Sequence, residues 1–318
     1  MRLIGGVWML KVYAIMVLTM LLWGANVSLI KLLINDIPPL VMQGTRIFVA
    51  GITLFIILLV WKKQIIYKEM PWKWLLLACF LGVVAHHSLL ATGMQETTTI
   101  KTSLILGLAP LITAIIAVLT RSSSLTVISF CGFVIGFVGI VVAVVDNVSE
   151  VFNVVAGDFL VLASIIAQAI SFFVIRRITL TIPPLVVTAY LLTIGSLFLM
   201  VISLITNPAS FKVFANLDVT LWGIFIFSAV FATAIGHSMY NSMIKKIGTA
   251  ETAIFTNLST IFALIGAAVI IGEEMHMSQV VGCLLIVIGV LIGTGGIEEW
   301  IRKRKQHRHE EQCTGTIT

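Results

Sequence analysis

Two nearly identical stretches, IKLLINDIPPLV at residues 30–41 and IRRITLTIPPLV at residues 175–186, decide how this chain is organised. Each begins with isoleucine and a cation, Lys31 or Arg176, and each ends in IPPLV. The two copies lie 145 residues apart in a chain of 318 residues. The sequence therefore predicts two related halves, in which the same helix-to-helix turn occurs twice.

The composition excludes an ordinary soluble protein. Charged residues make up 11% of the chain and the mean hydropathy is +1.11. A typical globular protein contains roughly 25% charged residues, because it needs them to cover its surface in water. Too few charges are available here for such a surface, so the chain is predicted to be an integral membrane protein.

Ten apolar runs are long enough to cross a bilayer, for which about 20 residues are needed. They lie near residues 12–33, 40–61, 73–94, 102–120, 125–145, 156–175, 185–206, 219–241, 250–271 and 277–296. Short connections leave no room for a soluble domain. Backbone groups in hydrocarbon must be hydrogen-bonded internally, and these runs are too long and uniform for barrel strands. The predicted fold is all-α, with ten transmembrane helices.

The distribution of lysine and arginine predicts the orientation, because positive residues accumulate in cytoplasmic loops. With a cytoplasmic N-terminus, the inside segments contain 16 of the 20 basic residues and the outside segments contain 3, while Arg46 lies within a span. Both termini are therefore expected in the cytoplasm of a multi-pass cell-membrane protein.

The basic tail after Glu298, with the run RKRKQHRHEE, favours a topology anchor that contacts anionic lipid headgroups. A nucleic-acid patch is the alternative for such a run, but a protein with ten spans makes it the weaker one, so no nucleic-acid partner is expected.

The repeat extends beyond the opening stretches. At a spacing of 150 residues, HS at 87–88 matches HS at 237–238, Thr102 matches Thr252, and Gly132 matches Gly282. Each half contains five helices. Because five is odd, the second half enters the membrane from the opposite side, which predicts inverted repeats of the kind found in secondary transporters. The expected division is residues 1–150, 151–297 and a cytoplasmic tail at 298–318.

The segment LLWGANVSLIKLL followed by IPPLVMQGTRIF resembles the start of the EamA-like family in the drug/metabolite transporter superfamily. In that family a Trp-Gly pair, here Trp23-Gly24, precedes a cation, here Lys31, and an arginine, here Arg46, lies in helix two. The stretch AIFTNLSTIFALIGAAVIIGEEMHMSQVVGCLLIVIGVLI resembles the family's last two helices. The resemblance implies transport, usually export, of small metabolites or drugs. Leu191 occupies the position equivalent to Arg46, so only one half carries this cation.

Arg46 is the sharpest candidate for a substrate contact. A cation within the membrane costs at least a few kcal/mol and normally faces the protein interior, where it is paired. Gln43 lies three residues earlier on the same helical face. One interpretation is an anchor for a substrate carboxylate or a gating contact. The other is an arginine that extends to the outer headgroups, because Arg46 is about two turns from Pro39.

His87 and His237 occupy matching positions in helices three and eight. Histidines in facing helices can move protons near neutral pH, which would suit a proton-coupled antiporter. The favoured alternative is hydrogen bonding between helices, since no intramembrane carboxylate is an obvious relay partner. The spacing of the histidines does not indicate a metal site, and neither a metal nor another cofactor is expected.

Other polar residues share helix faces and, as a set, predict a polar cavity with aromatic walls. Each alone is better explained by hydrogen bonding between helices. The complete set of substrate-pathway candidates is Trp23, Asn26, Lys31, Gln43, Arg46, His87, Gln168, Tyr190, His237, Tyr240, Asn241 and Asn257.

Two further features concern packing. The pairs Gly132/Gly136 and Gly289/Gly293 have the GxxxG spacing, which predicts close helix contacts rather than substrate contacts. Pro110 lies in the middle of span four, where it is expected to kink the helix and free a carbonyl group.

The sequence thus favours a secondary transporter that exports small, amino-acid-like or drug-like metabolites by alternating access. It contains no Walker motif for ATP. A membrane-embedded enzyme is one alternative, but the chain has no H-E-x-x-H, G-x-S-x-G or paired intramembrane aspartates, so no catalytic residue is assigned. A receptor or channel is the other alternative, and no selectivity-filter loop stands out.

Reporter fusions test the inverted topology. Alkaline phosphatase fused after Pro38-Pro39 is expected to be active, because this turn lies outside, whereas fluorescent protein fused after Pro183-Pro184 is expected to fluoresce in the cytoplasm. If both turns were found on the same side of the membrane, the inverted repeat would be wrong.

Overall fold

A computed structural model describes residues 2–34, 36–97, 99–121, 126–145, 154–206, 208–271 and 275–294. Within these ranges the chain is almost entirely helical and contains no β-strand. The predicted all-α fold is confirmed.

Ten helical segments follow one another, and each corresponds to one predicted span. They are α1 (Arg2–Leu33), α2 (Pro39–Val60), α3 (Trp72–Glu96), α4 (Thr99–Gly107 and Ala109–Leu119), α5 (Val127–Val144), α6 (Ala156–Thr179), α7 (Pro184–Thr206), α8 (Val219–Ile247), α9 (Thr249–Ile270) and α10 (Met277–Gly293).

In the described part of the chain, nine of these helices are long and apolar enough to cross a membrane. The tenth, α10, is also apolar but has 17 residues, which gives a length of about 25 Å at 1.5 Å per residue. Helix α1 begins at Arg2, ten residues before the start expected from the apolar run. Hydropathy marks only the part of a helix that needs lipid, and a helix can continue into the headgroup region.

Equivalent helices of the two halves make equivalent contacts. Helix α2 packs against its equivalent α7, and α5 packs against its equivalent α10. Helix α1 contacts α8 and α9, just as its equivalent α6 contacts α3 and α4. This pairing agrees with two inverted five-helix repeats. The exact divisions at residues 150 and 297 lie outside the described residues and stay predictions.

The contact between α5 and α10 depends on glycine. A Cβ atom added to Gly132 would lie 2.3 Å from the backbone nitrogen of Gly293, and one added to Gly289 would lie 2.4 Å from the nitrogen of Gly136. Only glycine lets the two backbones come this close, as in other small-residue contacts between membrane helices. The close packing predicted from the GxxxG spacing is confirmed.

Helix α4 is interrupted at Leu108, between its two segments. Pro110 has no N–H to donate to the carbonyl group four residues earlier, at Leu106. Leu106 and Pro110 both line the central cavity described below. The helix is therefore interrupted next to Pro110, and the interruption lies beside the cavity.

Replacing Gly289 with leucine is expected to lower the thermal unfolding midpoint in detergent, because the added atoms collide with the backbone of α5. Overpacking of this kind typically costs about 1–3 kcal/mol. Gly223 of α8 is the matched control, since nothing lies within 4 Å of a Cβ atom added there. Equal midpoints for Gly289→Leu and Gly223→Leu would show that the α5–α10 contact does not depend on glycine at position 289.

Candidate functional site

A cavity of about 430 Å³ lies between the two halves. Eight helices line it, α1 to α6 together with α8 and α9. A smaller cavity of about 30 Å³ lies beside it. The two cavities have six lining residues in common, and Asn241 lines only the smaller one. Ligand pockets in proteins typically measure about 300–1,000 Å³, so the main cavity has room for a small metabolite.

Most of the residues predicted to form a substrate pathway meet at these cavities. Those that line the main cavity are Trp23, Asn26, Arg46, His87, Gln168, His237, Tyr240 and Asn257. Asn241 lines the smaller cavity, and its Nδ2 donates a hydrogen bond to Thr188 Oγ1 at 3.0 Å. Gln43 does not line either cavity but holds Arg46.

Tyr190, which also belongs to the predicted set, lines neither of these two cavities. Its ring packs edge-on against Phe55 and Trp72, with centroids 5.1 and 5.7 Å away. Helix α7 turns this residue toward an apolar cluster with α2 and α3, and helical spacing alone does not reveal that rotation. Lys31 belongs to α1, but its side chain lies outside the described part of the structure.

The guanidinium of Arg46 faces the interior of the bundle, and the residue is only 6% exposed. Its Nη1 donates to Thr233 Oγ1 at 2.9 Å and to Ser228 Oγ at 3.2 Å, while Nη2 donates to Gln43 Oε1 at 2.5 Å. Of the two interpretations of this arginine, the structure agrees with the interior one and not with an extended contact to the headgroups.

A π-helical segment in α8 brings the two hydroxyl groups together. Ser228 and Thr233 are five residues apart, a spacing that separates side chains on an α-helix. The segment Ser228–Ile235 instead forms bonds between residues five apart, such as Gly236 N–H to the carbonyl of Phe231. The wider turn places residues i and i+5 on one face. Both hydroxyl groups therefore reach Arg46.

An equivalent π-helical segment occurs in the first half, at Phe80–Ala85 of α3. A spacing of 150 residues places it at 230–235, within the segment of α8. Cavity-lining histidines lie two residues after each segment, His87 in α3 and His237 in α8, and His86 of α3 lines the cavity as well. Such segments are frequent at functional sites in other proteins.

The two histidines have different surroundings despite their matching positions. Nδ1 of His237 lies 3.0 Å from the carbonyl oxygen of Thr233, one turn earlier. Nδ1 of His87 is buried and makes no hydrogen bond, although the ring lies 4.8 Å from that of His86. His86 in turn contacts the carbonyl oxygen of Ser164 at 3.1 Å. Among the described residues, no three histidine, cysteine or acidic side chains form a group suited to a metal ion.

Aromatic rings form one wall of the cavity. The centroid of Trp23 lies 5.0 Å from that of Tyr240, and Tyr240 lies 5.1 Å from Phe172. The indole Nε1 of Trp23 donates to the carbonyl oxygen of Ala232 at 2.9 Å. A Cβ atom at Gly236 would come within 2.6 Å of this nitrogen, so glycine there makes room for the indole ring.

Sequence reasoning missed several residues of the site. Ser228, Thr233 and Phe172 are unremarkable in sequence, because small hydroxyl and aromatic residues are common in membrane helices.

Lys101 and Asp158 form an ion pair at 3.2 Å that joins α4 of the first half to α6 of the second. Their opposite charges, both expected at outer helix ends, were the available signal.

Replacing Thr233 with valine is expected to lower the thermal midpoint, because Arg46 loses a buried acceptor. An unsatisfied buried polar group costs about 1–3 kcal/mol, and more if it is charged. Thr53→Val is the control, since the Thr53 hydroxyl donates only to the carbonyl oxygen of Val49 in its own helix. Equal effects of the two changes would show that Thr233 does not stabilise Arg46.

Comparison with known proteins finds the same organisation elsewhere. The model of the EamA-like transporter family matches this chain twice, at residues 10–145 and 155–294. A solved structure described as "Crystal structure of protein" has a TM-score of 0.74 and 16% sequence identity, and the match covers 89% of this chain and 96% of that one. This likeness supports the fold.

Two relatives cover nearly the whole chain. An uncharacterized transporter of Bacillus subtilis, YyaM, is 26% identical over 296 residues, which is 91% of this chain and 95% of the relative. An uncharacterized transporter of Archaeoglobus fulgidus is 23% identical over 283 residues, 89% of this chain and 98% of the relative. The resemblance found at Trp23-Gly24 and Arg46 is confirmed, and this multi-pass membrane protein belongs to the EamA-like transporter family.

Proposed function

We propose that this protein is a secondary transporter that exports small, amino-acid-like or drug-like metabolites from the cell by alternating access. The cavity between the halves is the observation that carries the proposal. Secondary transporters built from inverted repeats bind their substrates at the repeat interface, near the bilayer midplane. A cavity of about 430 Å³ lined by helices of both halves fits this role.

A buried apolar cluster that includes the cavity-lining Tyr240 packs next to the cavity. It contains Met16 and Met20 of α1, Phe133 of α5, Ile244 of α8 and Phe255 of α9, none of them more than 2% exposed. In the topology expected from the positive residues, the cluster lies toward the cytoplasmic end of the bundle.

A polar link joins the halves at the opposite end. Asp158, at the start of α6, accepts hydrogen bonds from Thr97 and from Lys101, and also from the backbone N–H of Val155. Alternating access requires that the contacts between the halves at each end form and break in turn. When the Lys101–Asp158 pair breaks, both side chains are charged and water can hydrate them. Such a contact suits the end of the bundle that must open.

The side chains at the cytoplasmic end suit the expected orientation. Trp61, Trp72 and Trp74 are exposed, and their neighbours in sequence are the lysines Lys62, Lys63 and Lys73. Tryptophan is enriched where helices meet the headgroups, and lysine is attracted to the anionic lipids of the cytoplasmic leaflet. The guanidinium of Arg177 lies 4.2 Å above the ring of Trp74. We therefore place both termini, and the basic tail, on the cytoplasmic side of the cell membrane.

Metabolite profiling tests the function. Cells that overproduce the protein are expected to accumulate at least one small compound in the medium at several times the level of cells with an empty vector. His237→Ala and Arg46→Ala are expected to abolish this excess at equal amounts of membrane-inserted protein, because both side chains line the cavity. An unchanged medium with the wild-type protein, or unchanged export by both variants, would contradict the proposal.

A reversible cross-link tests alternating access in the same assay. Thr97→Cys and Asp158→Cys, in a chain whose four native cysteines are replaced, place thiols where two side chains of different halves touch. Linking them is expected to stop export, and reduction is expected to restore it. Each single cysteine variant is the control, and continued export by the linked protein would show that this end does not open.

A further inference from the structure

We infer that the central cavity selects its substrate by charge: it accepts compounds in which a carboxylate is attached to a flat apolar body, and it disfavours cations. This inference rests on the cavity of the proposed transporter and names its substrate class. Three features of the cavity support it, namely an uncompensated arginine, unpaired polar atoms and an aromatic wall.

The first feature is the charge of the cavity. Arg46 is buried, and its hydrogen-bond partners are two hydroxyl groups and one amide, all of them neutral. No aspartate or glutamate among the described residues lines either cavity. A buried charge is normally paired, because the surroundings cannot replace its lost hydration. An anionic substrate would supply the missing charge.

The second feature is the unused hydrogen-bonding capacity of this arginine. A guanidinium has five N–H groups, and three of those of Arg46 are engaged with Ser228, Thr233 and Gln43. The Nε–H group has no partner in the structure, and one N–H of Nη2 remains as well. Nε and Nη2 each contribute one N–H group to the same edge of the planar group, and because Nε is closed off from solvent, a carboxylate must displace a neighbouring side chain to reach this edge. Two donors on one edge match the two oxygen atoms of a carboxylate.

Other unpaired atoms belong to side chains around the same cavity. Asn26 Oδ1, Tyr240 Oη and Asn257 Nδ2 are buried and make no hydrogen bond, and these residues are 7%, 1% and 2% exposed. Polar groups in protein interiors are nearly always hydrogen-bonded. All three atoms are closed off from solvent in this structure, so a substrate can bond to them only where neighbouring side chains move. The set includes donors and acceptors, so it fits a substrate with a second polar group.

The third feature is the wall of Trp23, Tyr240 and Phe172, whose neighbouring ring centroids lie 5.0 and 5.1 Å apart. Aromatic side chains bury a large apolar area and hold planar groups against their faces. A planar apolar body therefore fits beside this wall while its carboxylate reaches Arg46.

The positive charge of Arg46 would disfavour a cationic ligand in the same cavity. Like charges in a medium of low dielectric constant repel strongly, and the cavity provides no carboxylate to offset the repulsion. A purely structural arginine, tying α2 to α8 through its three bonds, would explain the contacts with Ser228 and Thr233. It would not produce a preference among ligands that differ only in charge, and this difference makes the inference testable.

Three probes that share a naphthyl ring and differ in the charge of their polar group test the preference: 2-naphthoate, 2-naphthamide and 2-naphthylmethylamine. The full-length protein in detergent is titrated with each probe, and its thermal midpoint is measured. The anion is expected to raise the midpoint at concentrations at least ten-fold lower than the amide or the amine requires. Equal effects of the three probes, a preference for the amine, or no effect of naphthoate up to its solubility limit would overturn the inference.

Variants locate the preference at one side chain. Arg46→Gln is expected to bind naphthoate and naphthamide alike, whereas Arg46→Lys keeps part of the preference for the anion. Arg177→Gln is the matched control, because this arginine lies against Trp74 and lines neither cavity. Loss of the preference in Arg177→Gln, or its retention in Arg46→Gln, would contradict the assignment. If Arg46→Gln fails to fold, the three probes on the wild-type protein still decide the question.

The outcomes also separate this inference from the proposed function. Export of a neutral or cationic compound, without a preference for naphthoate, would leave the transporter intact and remove the charge selection. A clear preference for naphthoate, in a protein that exports nothing, would leave the anion site and remove the transporter.

Discussion

The guanidinium of Arg46 is the group on which the arrangement of the cavity depends. A charge inside a membrane protein must be solvated by the protein itself, since neither lipid nor a dry interior can do so. Two hydroxyl groups of α8 and one amide of α2 provide this solvation. The π-helical turn of α8, the approach of α8 to α2 and the position of the cavity are therefore linked through one side chain.

The inverted repeat explains why a cavity exists at this place. Equivalent helices meet across the centre of the bundle, α2 with α7 and α5 with α10. The α5–α10 contact is close enough to exclude side chains, because glycines face backbone on both helices. Helices of both halves surround the cavity, and two of those that line it, α3 and α8, contain π-helical segments. The close α5–α10 contact and the cavity both lie where the two halves meet.

The two halves differ at the residues that surround the cavities. Leu191 of α7 stands in the place equivalent to Arg46, and it lines only the smaller cavity. His87 and His237 match in position, yet only His237 contacts a carbonyl oxygen of its own helix. A symmetric scaffold suits a site that must face each side of the membrane in turn, whereas recognition of one substrate needs unlike groups around it.

Periodicity and composition in the sequence by themselves determined the membrane environment, the ten helices and their organisation in two halves, because these depend on hydropathy, spacing and the odd number of spans. They also determined that one arginine and three histidines lie within the spans. Only the tertiary structure decided that Arg46 points inward, that Tyr190 does not reach the cavity and that Ser228 and Thr233 share a face. The reason is physical: the rotation of a helix about its axis, and a local π turn, are fixed by packing against neighbours that are distant in sequence.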